Sequence, residues 1–214
     1  MNKLHTINRL SSEPQTRPLA TGHAAPSFRL PTVQGEHVAS SQFHQQKNVI
    51  LWFSRGVTCN FCRNYMESFM AGYETLAANN IELIQVAPNL LDSARRYFDK
   101  LPRYPFACDP EKHSYALYGL GDRGVVEATR SMVVSFARAG QEGEFGNNVR
   151  GAWLDIANRN FLRRLHHHAL TAVEQGVFII DKNGVIRYSL CVGPIEKVPS
   201  SDELLMICRT VCPE

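Results

Sequence analysis

A Cys-x-x-Cys pair, Cys59 and Cys62, lies between a short apolar run and an amphipathic segment, and this order constrains the fold more than any other feature of the chain. The run 48–53 (Asn-Val-Ile-Leu-Trp-Phe) is rich in β-branched and aromatic residues, as in a strand buried on both faces. The segment after the pair carries an aromatic residue at every fourth position: Tyr65, Phe69 and Tyr73. This spacing predicts a helix with one buried stripe, so the pair is expected at a strand-to-helix turn.

The position of Cys59 in this turn predicts a reactive thiolate. Free backbone N–H groups and the positive end of the helix dipole stabilise a negative charge at a helix N-terminus. A thiol pKa falls to roughly 3.5–7.5 in such settings, and Arg55 and Arg63 are close enough in sequence to lower it further. Cys62 follows three residues later on the same helix face, where a disulfide with Cys59 is feasible. The pair therefore predicts redox chemistry with Cys59 as the nucleophile.

Two other interpretations of the Cys-x-x-Cys pair stay open. The pair is half of a zinc site if Cys208 and Cys212, or the histidine run 166–168, complete it. Adjacent histidines point in different directions on a helix, and the two cysteine pairs are about 150 residues apart, so we predict no metal. Alternatively the cysteines are buried core residues without a redox role. Cys208 and Cys212 also have the spacing of a second dithiol on one helix face.

Composition favours one globular domain without a charged partner. The 214 residues are 44% hydrophobic with a formal net charge of +3 and no block of like charges, so neither nucleic acid nor a membrane is predicted as a partner. We find no signal-peptide or membrane-spanning run, so the prediction is a cytoplasmic protein whose six cysteines are kept reduced. Residues 1–21 are predicted to form a flexible arm before a domain at 22–214.

The remaining pattern predicts an α/β fold. Strands are expected at 26–31, 34–38, 48–53, 82–87, 176–181 and 185–190, with a short helix after 40–43, a helix capped by Asp92 or Ser93, one ending at Gly119, and a last one from Ser201 to about Cys208. Cys191 is expected after the last strand. A helix between the strands at 48–53 and 82–87 implies that they are parallel. An insertion is expected at about 122–174. Residues 119–124 fit G-x-G-x-x-G but follow a helical pattern, so we predict no dinucleotide or other cofactor.

Four segments together resemble the alkyl hydroperoxide reductase/thiol-specific antioxidant family, and more closely its peroxiredoxin-like branch. They are residues 24–30 (Ala-Ala-Pro-Ser-Phe-Arg-Leu), 53–63 around Cys59 and Cys62, 108–119, and 176–184 (Gly-Val-Phe-Ile-Ile-Asp-Lys-Asn-Gly). The resemblance covers roughly 22–207. It implies a thioredoxin-like fold, a central mixed sheet flanked by helices, with a helical insertion before the final β-hairpin.

The resemblance also implies an activity, the reduction of hydroperoxides by Cys59 with Cys62 as the resolving thiol. The family's Thr holds the peroxide oxygens, a role that falls on Thr58 although its spacing to Cys59 differs from the family motif. The family's Arg before the last strand pair is Gln175 here, so that cation is missing unless Arg55, or an arginine of the insertion such as Arg150, replaces it. Arg63, Gln175 and Phe61 are predicted to line the substrate site.

The partners implied are a hydroperoxide or disulfide substrate and a thioredoxin-, glutaredoxin- or glutathione-type reductant. Three functions stay open: thiol peroxidase, thiol-disulfide oxidoreductase, and a non-enzymatic thioredoxin-fold binding module. The insertion either packs on its own domain as helices, or covers the Cys59 pocket or forms the contact of a homodimer.

Overall fold

A five-stranded mixed sheet forms the centre of the protein. The structure is a computed structural model that describes residues 17–121, 173–192 and 197–212. Within these ranges it describes all side chains except those of Asn60 and Phe61. The strands are β1 (Arg29–Pro31), β2 (His37–Ala39), β3 (Asn48–Phe53), β4 (Ile81–Ala87), β5 (Phe106–Cys108), β6 (Gln175–Ile180) and β7 (Ile186–Val192). The helices are α1 (Asn60–Ala78), α2 (Leu91–Tyr97), α3 (His113–Leu117) and α4 (Ser201–Val211).

The order of strands in the main sheet is β5-β4-β3-β6-β7, and β1 and β2 form a separate antiparallel pair. Strands β3, β4 and β5 run parallel, β6 is antiparallel to β3, and β7 is antiparallel to β6. The predicted parallel pairing of the two buried strands is therefore confirmed, as is the mixed sheet with a C-terminal hairpin.

Strand β3 separates two apolar cores because its successive side chains point to opposite faces. Trp52 packs edge-on against Phe69 of α1, with ring centroids 4.9 Å apart, in the core shared with α4. Phe53 packs against Tyr115 of α3, also at 4.9 Å, in the core on the other face. Each such buried side chain contributes about 1.5–3 kcal/mol of transfer free energy. Helices thus cover both faces of the sheet, as predicted.

The starts of two helices differ from the prediction. Residues 40–43, expected as a polar cap before a helix, are themselves a 3-10 helix. Helix α2 follows Leu90 as its N-cap, with no side-chain cap bond from the predicted Asp92 or Ser93. The chain leaves β4 and turns within three residues, so both side chains fall inside the helix, where Asp92 still faces the positive end of the dipole.

The C-terminal elements are longer than predicted. Cys191, expected beyond the last strand, lies within β7 opposite Gly176, because β6 begins at Gln175 and its pairing with β7 extends to Val192. Helix α4 continues to Val211 instead of ending near Cys208. Its start is fixed by Ser200, whose hydroxyl accepts the Glu203 N–H at 3.3 Å while the Glu203 carboxylate accepts the Ser200 N–H at 2.7 Å.

Two junctions hold the ends of the predicted arm and insertion. The arm is packed in part, since Leu19 is buried and its N–H donates to Tyr118 O at 3.1 Å; residues 1–16 lie outside the described part. At the insertion, the Glu174 N–H donates to Gly121 O and the Gly121 N–H donates to Glu174 Oε2, both at 3.2 Å. Residues 122–172 lie outside the described part.

Among the helices described, none is long and apolar enough to cross a membrane.

Candidate redox site

Cys59 forms the N-cap of α1, directly beyond the carboxyl end of the central strand β3. Its backbone is extended, with φ −81° and ψ 113°, and its sulfur accepts the N–H of Cys62 at 3.4 Å. The thiol thus occupies the place of a capping oxygen and satisfies one of the free N–H groups at the helix start. Cys59 is only 3% exposed. The predicted turn position places its sulfur in the field of the helix dipole.

Gln175 brings β6 to the same sulfur pair. The Cys62 thiol donates to Gln175 Oε1 at 3.2 Å, and both side chains are buried. The contact joins residues 113 apart in sequence because β6 is antiparallel to β3, with Gly176 opposite Phe53. The first residue of β6 therefore lies beside the end of β3 and the start of α1.

The surroundings of Cys62 keep it protonated. Burial raises its pKa well above the usual value, and the hydrogen bond and negative charge of Cys59 raise it further. A hydrogen bond from the Arg55 backbone and the Arg55 charge lower the pKa, but by less. These effects favour the thiol form of Cys62 at neutral pH.

Arg55 is a buried cation in the turn between β3 and α1. It is 6% exposed, and its Nε has no hydrogen-bond acceptor among the described residues. No described acidic side chain forms an ion pair with it. Since a buried charge without a partner is costly, this guanidinium is a candidate for binding an anion or a developing negative charge.

A chain of buried hydrogen bonds connects the turn between β3 and α1 to strand β4 and to Tyr104. Tyr104 OH donates to Gln85 Oε1 at 3.0 Å, and Gln85 Nε2 donates to Ser54 Oγ at 3.0 Å. Ser54 Oγ in turn donates to Val86 O at 3.2 Å. Sequence reasoning missed Gln85 and Tyr104, although a glutamine inside an otherwise apolar buried strand is a signal that a polar partner is near.

The turn also depends on Gly56 and Asn89. Gly56 has φ +95°, and its neighbour Val57 donates its N–H to Asn89 Oδ1 at 3.1 Å. A Cβ on Gly56 would lie 2.5 Å from the same oxygen. Asn89 was also missed by sequence reasoning, because nothing before the fold connects the loop after β4 to the turn after β3.

The structure brings some of the predicted site residues together and places others at its edge. Arg55, Cys59, Cys62 and Gln175 meet at one end of β3. Thr58 is exposed and Arg63 is partly exposed. The side chain of Phe61 lies outside the described part of the structure.

Within the described ranges, no group of three or more histidine, cysteine or acidic side chains is arranged to hold a metal ion. The histidine run 166–168 lies outside those ranges. Cys208 and Cys212 lie at the opposite end of β3 from Cys59, since the Asn48 side chain hydrogen-bonds Cys208. The two cysteine pairs therefore do not form one four-ligand site.

Comparisons with known proteins bear on the family and the fold of the chain. A family model described as the AhpC/TSA family matches residues 21–141. None of the curated protein sequences matched the chain.

Three solved structures share the fold, and each aligns over 90% of this chain. A reduced 2-Cys peroxiredoxin of Plasmodium vivax has 14% identity, a TM-score of 0.58 and 96% of its own length aligned. Peroxidoxin BcpB of Mycobacterium tuberculosis has 15% identity, a TM-score of 0.60 and 98% aligned. A candidate thiol:disulfide interchange protein, DsbE, of Chlorobium tepidum has 17% identity, a TM-score of 0.55 and 98% aligned. The likeness shows a thioredoxin-like fold.

Proposed function

We propose that this chain, which belongs to the AhpC/TSA family, is a thiol peroxidase that reduces hydroperoxides with Cys59 as the attacking thiolate and Cys62 as the resolving thiol. A thiol-dependent redox function is common to the family and to the two kinds of structural neighbour. The choice of a hydroperoxide as the substrate rests on the site itself.

The observation that carries the proposal is the burial of Cys59. A side chain that is 3% exposed can meet a small hydroperoxide, whereas the disulfide of a folded protein cannot approach it without opening the site. The buried Arg55 adds a positive charge beside the pair, which would stabilise the oxyanion that leaves when the O–O bond breaks.

The reaction has two covalent steps on the protein. The Cys59 thiolate attacks one oxygen of ROOH, the O–O bond breaks, and the RO⁻ that leaves takes a proton to give ROH and a sulfenic acid on Cys59. Cys62 then loses its proton, its sulfur attacks the Cys59 sulfur, and water leaves as the disulfide forms. A dithiol or two monothiols of the thioredoxin, glutaredoxin or glutathione type then restore both thiols by exchange, and a protein reductant requires that the site first open to expose the disulfide.

Gln175 has a positioning role in the second step. Its Oε1 accepts the Cys62 S–H at 3.2 Å and holds that sulfur beside Cys59 until the proton is removed. The raised pKa of Cys62 prevents it from competing with Cys59 for the peroxide.

A second candidate function is reduction of small-molecule disulfides by the same two cysteines. Two observations favour it. Gln175 is a neutral amide at the position where the family has an arginine, and the Thr58 side chain is exposed. In this reaction Cys59 would form a mixed disulfide that Cys62 releases.

The test is the second-order rate at which the reduced protein consumes hydrogen peroxide and an organic hydroperoxide. We expect a rate far above that of a free thiol at the same pH, lost in Cys59→Ser and retained in Cys191→Ser, a control cysteine in β7. In Cys62→Ser, peroxide should leave a sulfenic acid on Cys59 that a dimedone probe labels. A rate equal to that of an ordinary thiol contradicts the peroxidase proposal, and trapping of a mixed disulfide in Cys62→Ser would then support exchange.

A further inference from the structure

A second cysteine pair lies where helix α4 ends. Cys208 and Cys212 are four residues apart, the Cys212 N–H donates to Cys208 O at 2.8 Å, and the two thiols share a hydrogen bond. Both side chains are buried in the core between α1, α4 and the sheet. The proposed peroxidase reaction uses neither of them.

The second pair is too far from Cys59 to act as its resolving partner. Cys208 is hydrogen-bonded by Asn48, the first residue of β3, whereas Cys59 lies beyond the last residue of that strand. The strand alone spans about 17 Å at about 3.3 Å per residue. A disulfide needs Cα atoms within about 7 Å of each other. Neither Cys208 nor Cys212 can therefore form a disulfide with Cys59 in this fold, whereas each has the other within hydrogen-bonding distance.

The surroundings of the two thiols differ in a way that assigns them roles. The hydrogen bond from Cys208 lowers the pKa of Cys212, and the Arg187 charge also lowers it. Burial and the Asp181 charge raise the pKa, but the net shift is downward. Cys208 shows the opposite shift, because the hydrogen bond with Cys212 and burial raise its pKa. Cys212 is also the more accessible, 9% exposed against 1%. A core cysteine in a purely apolar role would not need a second thiol within hydrogen-bonding distance.

Disulfide formation within this pair is geometrically feasible. Side chains four apart on a helix lie about 5–6 Å apart at Cβ, close to the range that a disulfide requires. Cys212 is the C-cap, with φ −121° and ψ 72°, so its backbone dihedrals are not helical and its movement would disturb only the last hydrogen bond of α4, from the Cys212 N–H to Cys208 O.

We propose that Cys208 and Cys212 form a second thiol-disulfide exchange site, which small disulfides of the glutathione class oxidise to an intramolecular disulfide. The Cys212 thiolate attacks one sulfur of RSSR, the S–S bond breaks, and RS⁻ leaves. Cys208 then loses its proton and attacks the Cys212 sulfur of the mixed disulfide, releasing the second RS⁻. Two electrons pass from the protein to RSSR, and the two RS⁻ take up two protons to give 2 RSH.

The sequence supplies a direct readout, because Arg209 lies between the two cysteines and trypsin cleaves after it. Tryptic digestion separates residues 198–209 from residues 210–214 unless a Cys208–Cys212 disulfide joins them. The folded Cys59→Ser/Cys62→Ser protein and the wild type are incubated with oxidised glutathione, quenched with an alkylating reagent, digested and analysed by mass spectrometry. We expect the joined peptide in both proteins, so the result does not depend on the proposed peroxidase reaction.

Single variants test the order of attack. Cys208→Ser should accumulate a glutathione adduct on Cys212, and Cys212→Ser should react at Cys208 at least about 10-fold more slowly than the wild type does at Cys212. Cys191→Ser is the matched control and should leave the joined peptide unchanged. Separate, fully alkylated peptides after oxidation of the wild type, or joining only in protein unfolded by urea before oxidation, would overturn the proposal. The wild-type readout decides the matter even where a serine variant does not fold.

Discussion

The substitution Gly56→Ala tests how the turn that presents Cys59 is held. Gly56 has φ +95°, and an L-residue in left-handed backbone costs about 1–2 kcal/mol. The new Cβ would also lie 2.5 Å from Asn89 Oδ1, the acceptor of the Val57 N–H. Displacing Asn89 leaves that N–H without its partner, which costs about 1–3 kcal/mol. The expected loss in the free energy of unfolding is about 2–5 kcal/mol.

Gly22→Ala provides the matched control. Gly22 has a similar φ of +88°, but a Cβ there has nothing within 4 Å. It should therefore cost only the backbone part, about 1–2 kcal/mol. Urea unfolding followed by circular dichroism measures both variants, and equal m-values allow the midpoints to be compared directly.

A double-mutant cycle separates the steric part from the backbone part. Asn89→Ala removes the colliding oxygen, so Gly56→Ala should cost about 1–3 kcal/mol less in that background than in the wild type. Alkylation of Cys59 in the folded protein gives a second readout, which Gly56→Ala should change and Gly22→Ala should not. Equal destabilisation by the two glycine variants, with additive effects at Asn89, would refute the reasoning.

Three further predictions concern stability. Ser200→Ala removes the α4 cap and should cost about 1 kcal/mol in urea unfolding; a Glu203→Ala variant with no loss would contradict the reciprocal cap. Tyr104→Phe leaves Gln85 Oε1 without its donor and should cost about 1–3 kcal/mol, so a loss below about 0.5 kcal/mol would count against the buried network. Burial raises the pKa of Cys108 from its usual value near 9 to about 11. As pH rises from 9 to 11 the unfolded chain loses this proton before the folded protein does, so the free energy of unfolding should fall by about 2–3 kcal/mol. Urea unfolding across this pH range should show a smaller fall in Cys108→Ala.

Local sequence patterns were sufficient for the elements that carry Cys59. The run 48–53 is β3 with the predicted bounds, because the five consecutive apolar residues after Asn48 favour a strand that is buried on both faces. The helix start at the Cys-x-x-Cys pair followed from the same local pattern. The thioredoxin-like fold could be predicted because these local preferences agree with the global topology.

Contacts between distant segments could not be predicted in the same way. Gln175 was named as a site residue only from the family resemblance, and its bond to Cys62 follows from the antiparallel pairing of β6 with β3. Asn89 and Tyr104 gave no sequence signal, since their partners in the turn and in β4 depend on how loops meet at one sheet edge. The roles of Thr58, Arg63 and Phe61 stay predictions.

The paired hydrogen bonds between Gly121 and Glu174 have a consequence for the engineering of this chain. They bring residues 121 and 174 within hydrogen-bonding distance of each other, so a short linker can join these two points. Replacing residues 122–172 with a linker of a few glycines and serines would lower the loop-closure cost by about 2 kcal/mol. A chain shortened in this way keeps Gly121 and Glu174, and comparing its activity with that of the full chain would measure what the segment contributes.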